Sequence, residues 1–140
     1  MLRIERVLET ALYVEDIGRA VDFYQRVLGF GVLSKSGEPE RLAAMDVGGA
    51  HVLLLFKNGG TANEVNIPGG RIPGFDGSGN GHVAFPIARE ELGAWEKRLA
   101  VHEIAIESTV KWERGGQSIY FRDPDGNLLE LATPGVWATY

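Results

Sequence analysis

Two stretches of this chain repeat the same order of apolar and polar residues on either side of a segment rich in glycine and proline. Each stretch opens with a strand-like run, at 8–14 and again at 82–87, and continues with apolar residues at helical spacing. Three short strand-like runs follow in each half, at 31–34, 41–47 and 51–56 and then at 104–107, 117–122 and 127–133. The repeat predicts an α+β fold of two βαβββ modules. Their sheets are expected to join into a curved, partly open mixed β-sheet barrel with the helices outside and a pocket within the curve.

The length of 140 residues predicts a single domain with a sizeable core. We place module one at about 1–57, a glycine-rich linker at about 58–80, module two at about 81–133 and a C-terminal tail at 134–140. The tail is unusually aromatic. It either folds over the mouth of the pocket or contacts a second copy of the chain.

Composition excludes several classes of function. The formal net charge is -5 and no basic cluster occurs, which argues against a nucleic-acid partner. There is no cysteine, so disulfides, thiolate metal sites and cysteine nucleophiles are excluded. No apolar run is long enough to span a membrane, and a cytoplasmic protein is expected.

Three polar side chains occupy matching places in the repeat. Glu130 stands alone in an apolar strand-like run after the tight-turn sequence Asp123-Pro-Asp-Gly126, and burying an unpaired carboxylate is costly. Glu9, His82 and Glu130 are each followed two residues later by an alanine on the same strand face, which leaves room beside them. Taken singly, Glu9 fits a solvated strand residue and His82 a hydrogen-bonded one. Together the three predict a site for one divalent metal ion. The carboxylates favour manganese, magnesium or iron(II), and the imidazole is also compatible with zinc, nickel and cobalt.

Further residues are expected to line the pocket. Arg122 and Arg71 could pair with an anionic substrate, and residues 111–114, which precede the Gly115-Gly116 turn, form a candidate mobile flap. The predicted substrate-binding aromatic residues are Tyr13, Phe56, Tyr120 and Trp137.

Four segments together resemble one known family. They are the opening strand at 8–16, the helix at 20–30 with its Phe-Tyr and closing Leu-Gly, the run Gly81-His-Val-Ala-Phe85, and the closing hairpin at 118–131. The chain resembles the vicinal oxygen chelate superfamily, also called the glyoxalase/bleomycin resistance/dioxygenase family. The resemblance spans nearly the whole chain and implies the glyoxalase-like form of the paired-module fold.

The resemblance also implies roles for individual residues. In this family, metal ligands come from the first and last strands of each module, which here gives Glu9, His82 and Glu130. The fourth ligand position of the family, on the last strand of module one, falls near Leu53 or Leu54. Neither leucine can bind metal, so a three-ligand site is expected. Ser118 and Tyr120 match positions that contact substrate in the fosfomycin-resistance members.

The function implied is that of a metal-dependent lyase, isomerase or dioxygenase acting on a small oxygen-rich substrate chelated at the metal. Glu9 or Glu130 would double as a catalytic general base. Members of this size usually form homodimers, and the ligands meet either within one chain or across the dimer. The alternative is a metal-free binding protein like the bleomycin-resistance members, which sequester an aromatic, basic drug at a dimer interface.

Overall fold

A computed structural model describes residues 1–77 and 79–140 of the chain. The chain divides into two compact units, Met1–Gly79 (unit 1) and Asn80–Tyr140 (unit 2). Each unit contains one four-stranded mixed sheet and one α-helix, so the predicted α+β class and the two βαβββ modules are confirmed. None of the helices within the described residues is both long and apolar enough to cross a membrane.

Unit 1 is built on a sheet with the strand order β1-β4-β3-β2. Strand β1 runs parallel to β4, whereas the β2–β3 and β3–β4 pairs are antiparallel. A separate two-stranded hairpin, β5–β6, follows. The elements are β1 Glu9–Val14, α1 Ile17–Arg26, β2 Gly31–Ser36, β3 Leu42–Val47, β4 His51–Lys57, β5 Val65–Ile67 and β6 Gly70–Ile72.

Unit 2 repeats the arrangement with the strand order β7-β10-β9-β8. Strand β7 is parallel to β10, and the β9–β10 and β8–β9 pairs are antiparallel. A short 3-10 turn, Arg89–Glu91, leads into the helix. The elements are β7 His82–Pro86, α2 Leu92–Val101, β8 Ser108–Lys111, β9 Gln117–Arg122 and β10 Leu128–Ala132.

Local chemistry sets the ends of α1. The side chain of Asp16 accepts a hydrogen bond from the backbone N–H of Arg19 at 2.8 Å, which is an N-cap. The helix ends before Gly29, whose φ of +75° is a conformation that glycine adopts at little cost. The apolar stripe of α1 is buried, as its spacing predicts.

Each sheet has one face that forms the core of its unit. In unit 1 the buried row includes Leu12, Val14, Leu53 and Leu55, so the alternate residues of β1 lie on the opposite face. In unit 2 the buried row consists of Ile119, Phe121, Leu129 and Leu131, together with Leu99 of α2. The face opposite the core therefore carries those predicted site residues that lie on the four-stranded sheets.

The structure moves one predicted strand and adds a hairpin that the sequence did not predict. The strand expected at 104–107 lies instead at Ser108–Lys111, because Glu103 has a φ of 59° and the N–H of Ile104 bonds to the carbonyl of Leu99 in the last turn of α2. The segment predicted as a linker contains the β5–β6 hairpin. Ser78, in the same segment, lies outside the described residues. The single-domain organisation and the joining of the two sheets stay predictions.

Candidate metal centre

The register of unit 2 brings several polar side chains to one face of its sheet. Glu130 on β10 pairs with Tyr120 on β9 and with Ala84 on β7, and Leu128 pairs with His82. Because side chains alternate along a strand, His82, Tyr120 and Glu130 all project from the face opposite the core.

His82 and Glu130 form a close pair. Nε2 of His82 lies 3.3 Å from Oε2 of Glu130, and the histidine side chain is 48% exposed whereas the glutamate side chain is 8% exposed. The other ring nitrogen, Nδ1, lies 2.9 Å from the backbone carbonyl of Leu128. A carbonyl only accepts, so Nδ1 carries a hydrogen, and in a neutral ring Nε2 presents its lone pair to the carboxylate. Two electron-rich atoms then face each other, which a proton or a metal cation placed between them would stabilise.

The second oxygen of Glu130 is held by a chain of hydrogen bonds. Nε1 of Trp112 donates to Oγ of Ser118 at 2.9 Å, and Oγ of Ser118 donates to Oε1 of Glu130 at 2.5 Å. The indole N–H can only donate, so the single hydroxyl hydrogen of Ser118 is directed at the carboxylate. Ser118 is fully buried. Glu130 is therefore fixed through Oε1, and Oε2 is left facing His82.

Tyr120 completes this side of the sheet. Its ring stacks on the imidazole of His82 with centroids 6.3 Å apart. Burial raises the pKa of the Tyr120 hydroxyl, and the negative charge of Glu130 together with a hydrogen bond to it raises this pKa further. The phenol thus stays protonated at neutral pH and acts as a hydrogen-bond donor.

This donor set fits a divalent metal ion. Metal-binding histidines commonly donate their other ring N–H to a carbonyl, and ligating carboxylates are commonly hydrogen-bonded themselves, as His82 and Glu130 are. Across residues 1–77 and 79–140, no group of three or more histidine, aspartate or glutamate side chains is disposed to hold a metal. Glu9 is exposed at the start of β1 in unit 1. The complete set of Glu9, His82 and Glu130 stays a prediction.

The register of unit 1 identifies the counterpart of Glu130. Leu54 pairs with Ala11 on the parallel strand, just as Glu130 pairs with Ala84 in unit 2. Of the two leucines considered from the sequence, Leu54 therefore stands where unit 2 has its carboxylate. On this face, unit 1 therefore has Glu9 at the place of His82 and the apolar side chain of Leu54 at the place of Glu130.

Tyr13 and Phe56, both predicted to line the pocket, lie together in unit 1. Their ring centroids are 6.1 Å apart, and the hydroxyl of Tyr13 is 2.7 Å from that of Thr61. The ring of Phe75 packs edge-on against Phe56 at 5.4 Å. Thr61 and Phe75 come from the segment predicted as a linker. The glycine-rich composition of that segment gave no sign of these contacts.

Two predicted arginines are engaged by carboxylates. Arg122 donates to both oxygens of Glu107, at 2.8 and 3.0 Å, and to the carbonyl of Gly126. Arg71 pairs with Glu64 at 2.8 Å. A role for either arginine in binding substrate stays a prediction.

The tail folds back on unit 2. The hydroxyl of Tyr140 lies 3.1 Å from the carbonyl of Ile87 and 3.1 Å from that of Ala132. Burial raises the pKa of Tyr140. Trp137 is 71% exposed, so its side chain is available to a substrate or to a second copy, and its predicted role stays open to test.

Trp112, which the sequence analysis placed only in the candidate flap at 111–114, is a further residue of the site. Its backbone N–H bonds to the carbonyl of Gly116 at 2.9 Å, and this hairpin turns the indole back toward Ser118. The Gly115-Gly116 pair was the available signal, because a tight turn there places residue 112 beside the start of β9.

The relatives of the chain agree with this fold. Residues 6–131 match the sequence profile of the Glyoxalase/Bleomycin resistance protein/Dioxygenase superfamily. The chain is 32% identical over 121 residues to Metallothiol transferase FosB from Staphylococcus haemolyticus, covering 86% of this chain and 77% of that protein. It is 32% identical over 124 residues to Catechol-2,3-dioxygenase of Bacillus subtilis, covering 86% of this chain and 38% of that protein.

A solved structure is similar over almost the full length. The crystal structure of lactoylglutathione lyase from Agrobacterium tumefaciens aligns with a TM-score of 0.86 and 32% identity, covering 96% of this chain and 98% of that chain. The profile match includes both βαβββ modules and the strand that carries Glu130. The chain therefore belongs to the glyoxalase/bleomycin resistance protein/dioxygenase superfamily.

Proposed function

We propose that the chain is a divalent-metal-dependent enzyme of lyase, isomerase or dioxygenase type that acts on a small oxygen-rich substrate. The observation that carries the proposal is the pair formed by Nε2 of His82 and Oε2 of Glu130, 3.3 Å apart, with the remaining hydrogen-bonding atoms of both side chains already engaged. Glu9 is the proposed third ligand. A divalent cation at these residues would supply Lewis-acid stabilisation of negative charge on a substrate oxygen.

The side chains around the pair have separate tasks in this proposal. The Leu128 carbonyl holds the proton on Nδ1 of His82, so that Nε2 is free to act as a ligand. Ser118 keeps the Glu130 carboxylate turned toward His82. Tyr120, protonated at neutral pH, turns its hydroxyl hydrogen from Glu130 to a substrate oxygen as negative charge develops there. Glu9 or Glu130 serves as the general base, since each carboxylate can accept a proton from a bound substrate.

The relatives support an enzymatic role with a small-molecule substrate. Their names describe a metallothiol transferase, a catechol dioxygenase and a lactoylglutathione lyase. These are three different reaction types, so the choice among them depends on the residues that surround the metal. We further propose that the enzyme is a homodimer.

The metal content of purified protein tests the site. The wild type, Glu130→Ala and Glu107→Ala are stripped of metal and reloaded in turn with manganese, iron(II), cobalt, nickel, zinc and magnesium. We expect near-stoichiometric metal in the wild type and in Glu107→Ala, whose carboxylate binds Arg122, and loss of metal from Glu130→Ala. Full metal content in Glu130→Ala would show that the proposed centre is wrong.

A second result would favour the alternative function. Absence of metal from the wild type, together with tight binding of bleomycin by the metal-free protein, would identify a drug-binding member of the superfamily. The exposed indole of Trp137 is the aromatic surface that such a ligand would contact.

A further inference from the structure

A second candidate site lies entirely within unit 1. A hollow of about 270 Å³ opens at the end of β4, and its lining includes Arg41, Lys57, Asn58, Asn63 and Glu64. We call it the Arg41–Lys57 hollow. None of these residues belongs to the proposed metal centre, so the inference does not depend on the proposed function.

The two cations of the hollow are cross-strand neighbours. Leu42 pairs with Phe56 in the antiparallel β3–β4 ladder, and the next pair outward is Arg41 with Lys57, joined by a hydrogen bond from the N–H of Lys57 to the carbonyl of Arg41 at 2.9 Å. Like charges directly opposite each other on adjacent strands repel and destabilise a sheet. A negative charge near both side chains would reduce this repulsion.

No carboxylate of the chain meets that need within the described residues. Neither Arg41 nor Lys57 takes part in an ion pair there, although the chain has a formal net charge of -5. The nearby acids are engaged elsewhere. Glu64 pairs with Arg71 at 2.8 Å, Glu40 with Lys35 at 3.7 Å, and Glu15 accepts a hydrogen bond from the amide of Asn58 at 3.1 Å.

The lining is concave and open to solvent, so a ligand can reach both cations. Gly59 has a φ of +74° and turns the chain beside the two cations, and the N–H of Gly60 closes the turn onto the carbonyl of Lys57 at 2.9 Å. The amide of Asn63 adds a polar side chain to the wall. The hollow thus combines a guanidinium fork, an ammonium and two amides in one concave surface, and Arg71 pairs with its one carboxylate, Glu64.

We propose that the Arg41–Lys57 hollow binds a phosphate group, either as inorganic phosphate or as the phosphate ester of a small metabolite. Arginine recognises phosphate oxygens through two parallel hydrogen bonds, and lysine adds a point charge. The bound anion neutralises the repulsion between the two strands. The volume beyond a single phosphate accommodates the organic part of an ester.

Binding is measured by calorimetric titration with inorganic phosphate and, separately, with glucose 6-phosphate, at constant ionic strength and low millimolar ligand. The proteins are the wild type, Arg41→Gln, Lys57→Gln and the double variant. Arg26→Gln is the matched control, because it removes the same charge from α1 in the same unit, where Arg26 pairs with Asp22. We expect binding by the wild type and the control, about tenfold to hundredfold weaker binding by each single variant, and none by the double variant. Tighter binding of the ester than of phosphate would identify a metabolite site, and the reverse order a site for the free ion.

Thermal unfolding gives an independent readout that also shows whether the variants fold. Without phosphate, Lys57→Gln should unfold at a higher temperature than the wild type, because the repulsion with Arg41 is gone. With phosphate, the midpoint should rise for the wild type and not for the double variant. The proposal is overturned if the wild type shows no binding, or if the double variant binds phosphate as the wild type does.

Discussion

The orientation of Glu130 depends on a residue that is two hydrogen bonds away, Trp112. Trp112 donates to Ser118, and Ser118 donates to Glu130, so removing the indole N–H releases the serine hydroxyl from its fixed direction. Partners of metal ligands typically change metal affinity by about tenfold to a hundredfold when they are lost. We therefore predict that Trp112→Phe binds metal about tenfold more weakly than the wild type, as measured by competition with a chelator.

Trp137→Phe is the matched control for this substitution. It removes an indole that is 71% exposed, and it should leave the dissociation constant for metal unchanged. An unchanged constant for Trp112→Phe as well would mean that Ser118 holds Glu130 without help. Rescue of affinity in Trp112→His, which restores a ring N–H, would support the hydrogen-bond role over a simple packing role.

At the level of single residues, the sequence reveals some site features and conceals others. Glu130 could be identified because a lone acid in an apolar strand is costly unless it is partnered, and the structure buries it beside His82. Ser118 could be placed on the site face, but the direction of its hydroxyl could not be predicted. That direction is set by the indole of Trp112, which a hairpin turn places beside the Ser118 hydroxyl.

At the level of secondary structure, an ion pair joins the segment before β8 to β9. Nε and Nη2 of Arg122 hold the two oxygens of Glu107, and these hydrogen bonds lower the pKa of the Glu107 carboxyl. A lowered carboxyl pKa stabilises the folded state above the pKa of the unfolded chain, and this stabilisation disappears as the pH falls through the folded-state pKa. The unfolding midpoint of Glu107→Gln should therefore lie slightly below that of the wild type at pH 7.

The same substitution should have no effect in acid. Once Glu107 of the wild type is protonated, it no longer attracts Arg122 as an anion, and the two proteins should unfold at the same temperature. The measurement is the difference in thermal midpoint between them, followed from pH 7 downward. A difference that stays constant with pH would assign the effect to packing and not to charge.

The order of helices and strands along each module was predictable, but some boundaries were not. Seven of the strand-like runs coincide with strands because alternation and β-branched residues mark them clearly. The run at 104–107 looks like a strand, yet Ile104 still bonds back to the end of α2, and hydrogen bonding to β9 begins only at Glu107. The β5–β6 hairpin is short and exposed, and its glycine-rich sequence gave no strand signal.

At the level of the whole molecule, the predicted ligands are divided between the two units. Glu9 belongs to unit 1, whereas His82 and Glu130 belong to unit 2. The repeat explains this division, because Glu9 and His82 begin the equivalent strands β1 and β7, and only β10 supplies a carboxylate where β4 has Leu54. A metal centre with all three ligands therefore requires unit 1 and unit 2 to act together, from one chain or from two.

If the proposed homodimer builds each site across its interface, Glu9 of one subunit joins His82 and Glu130 of the other. Glu9→Ala and Glu130→Ala should each lack metal when prepared alone. Refolded together, they form mixed dimers in which one site has lost both carboxylates and the other keeps all three ligands, so metal content should return to about a quarter of the wild-type value after random pairing. If each site were built within one chain, every site in the mixture would still lack one carboxylate and no metal would return.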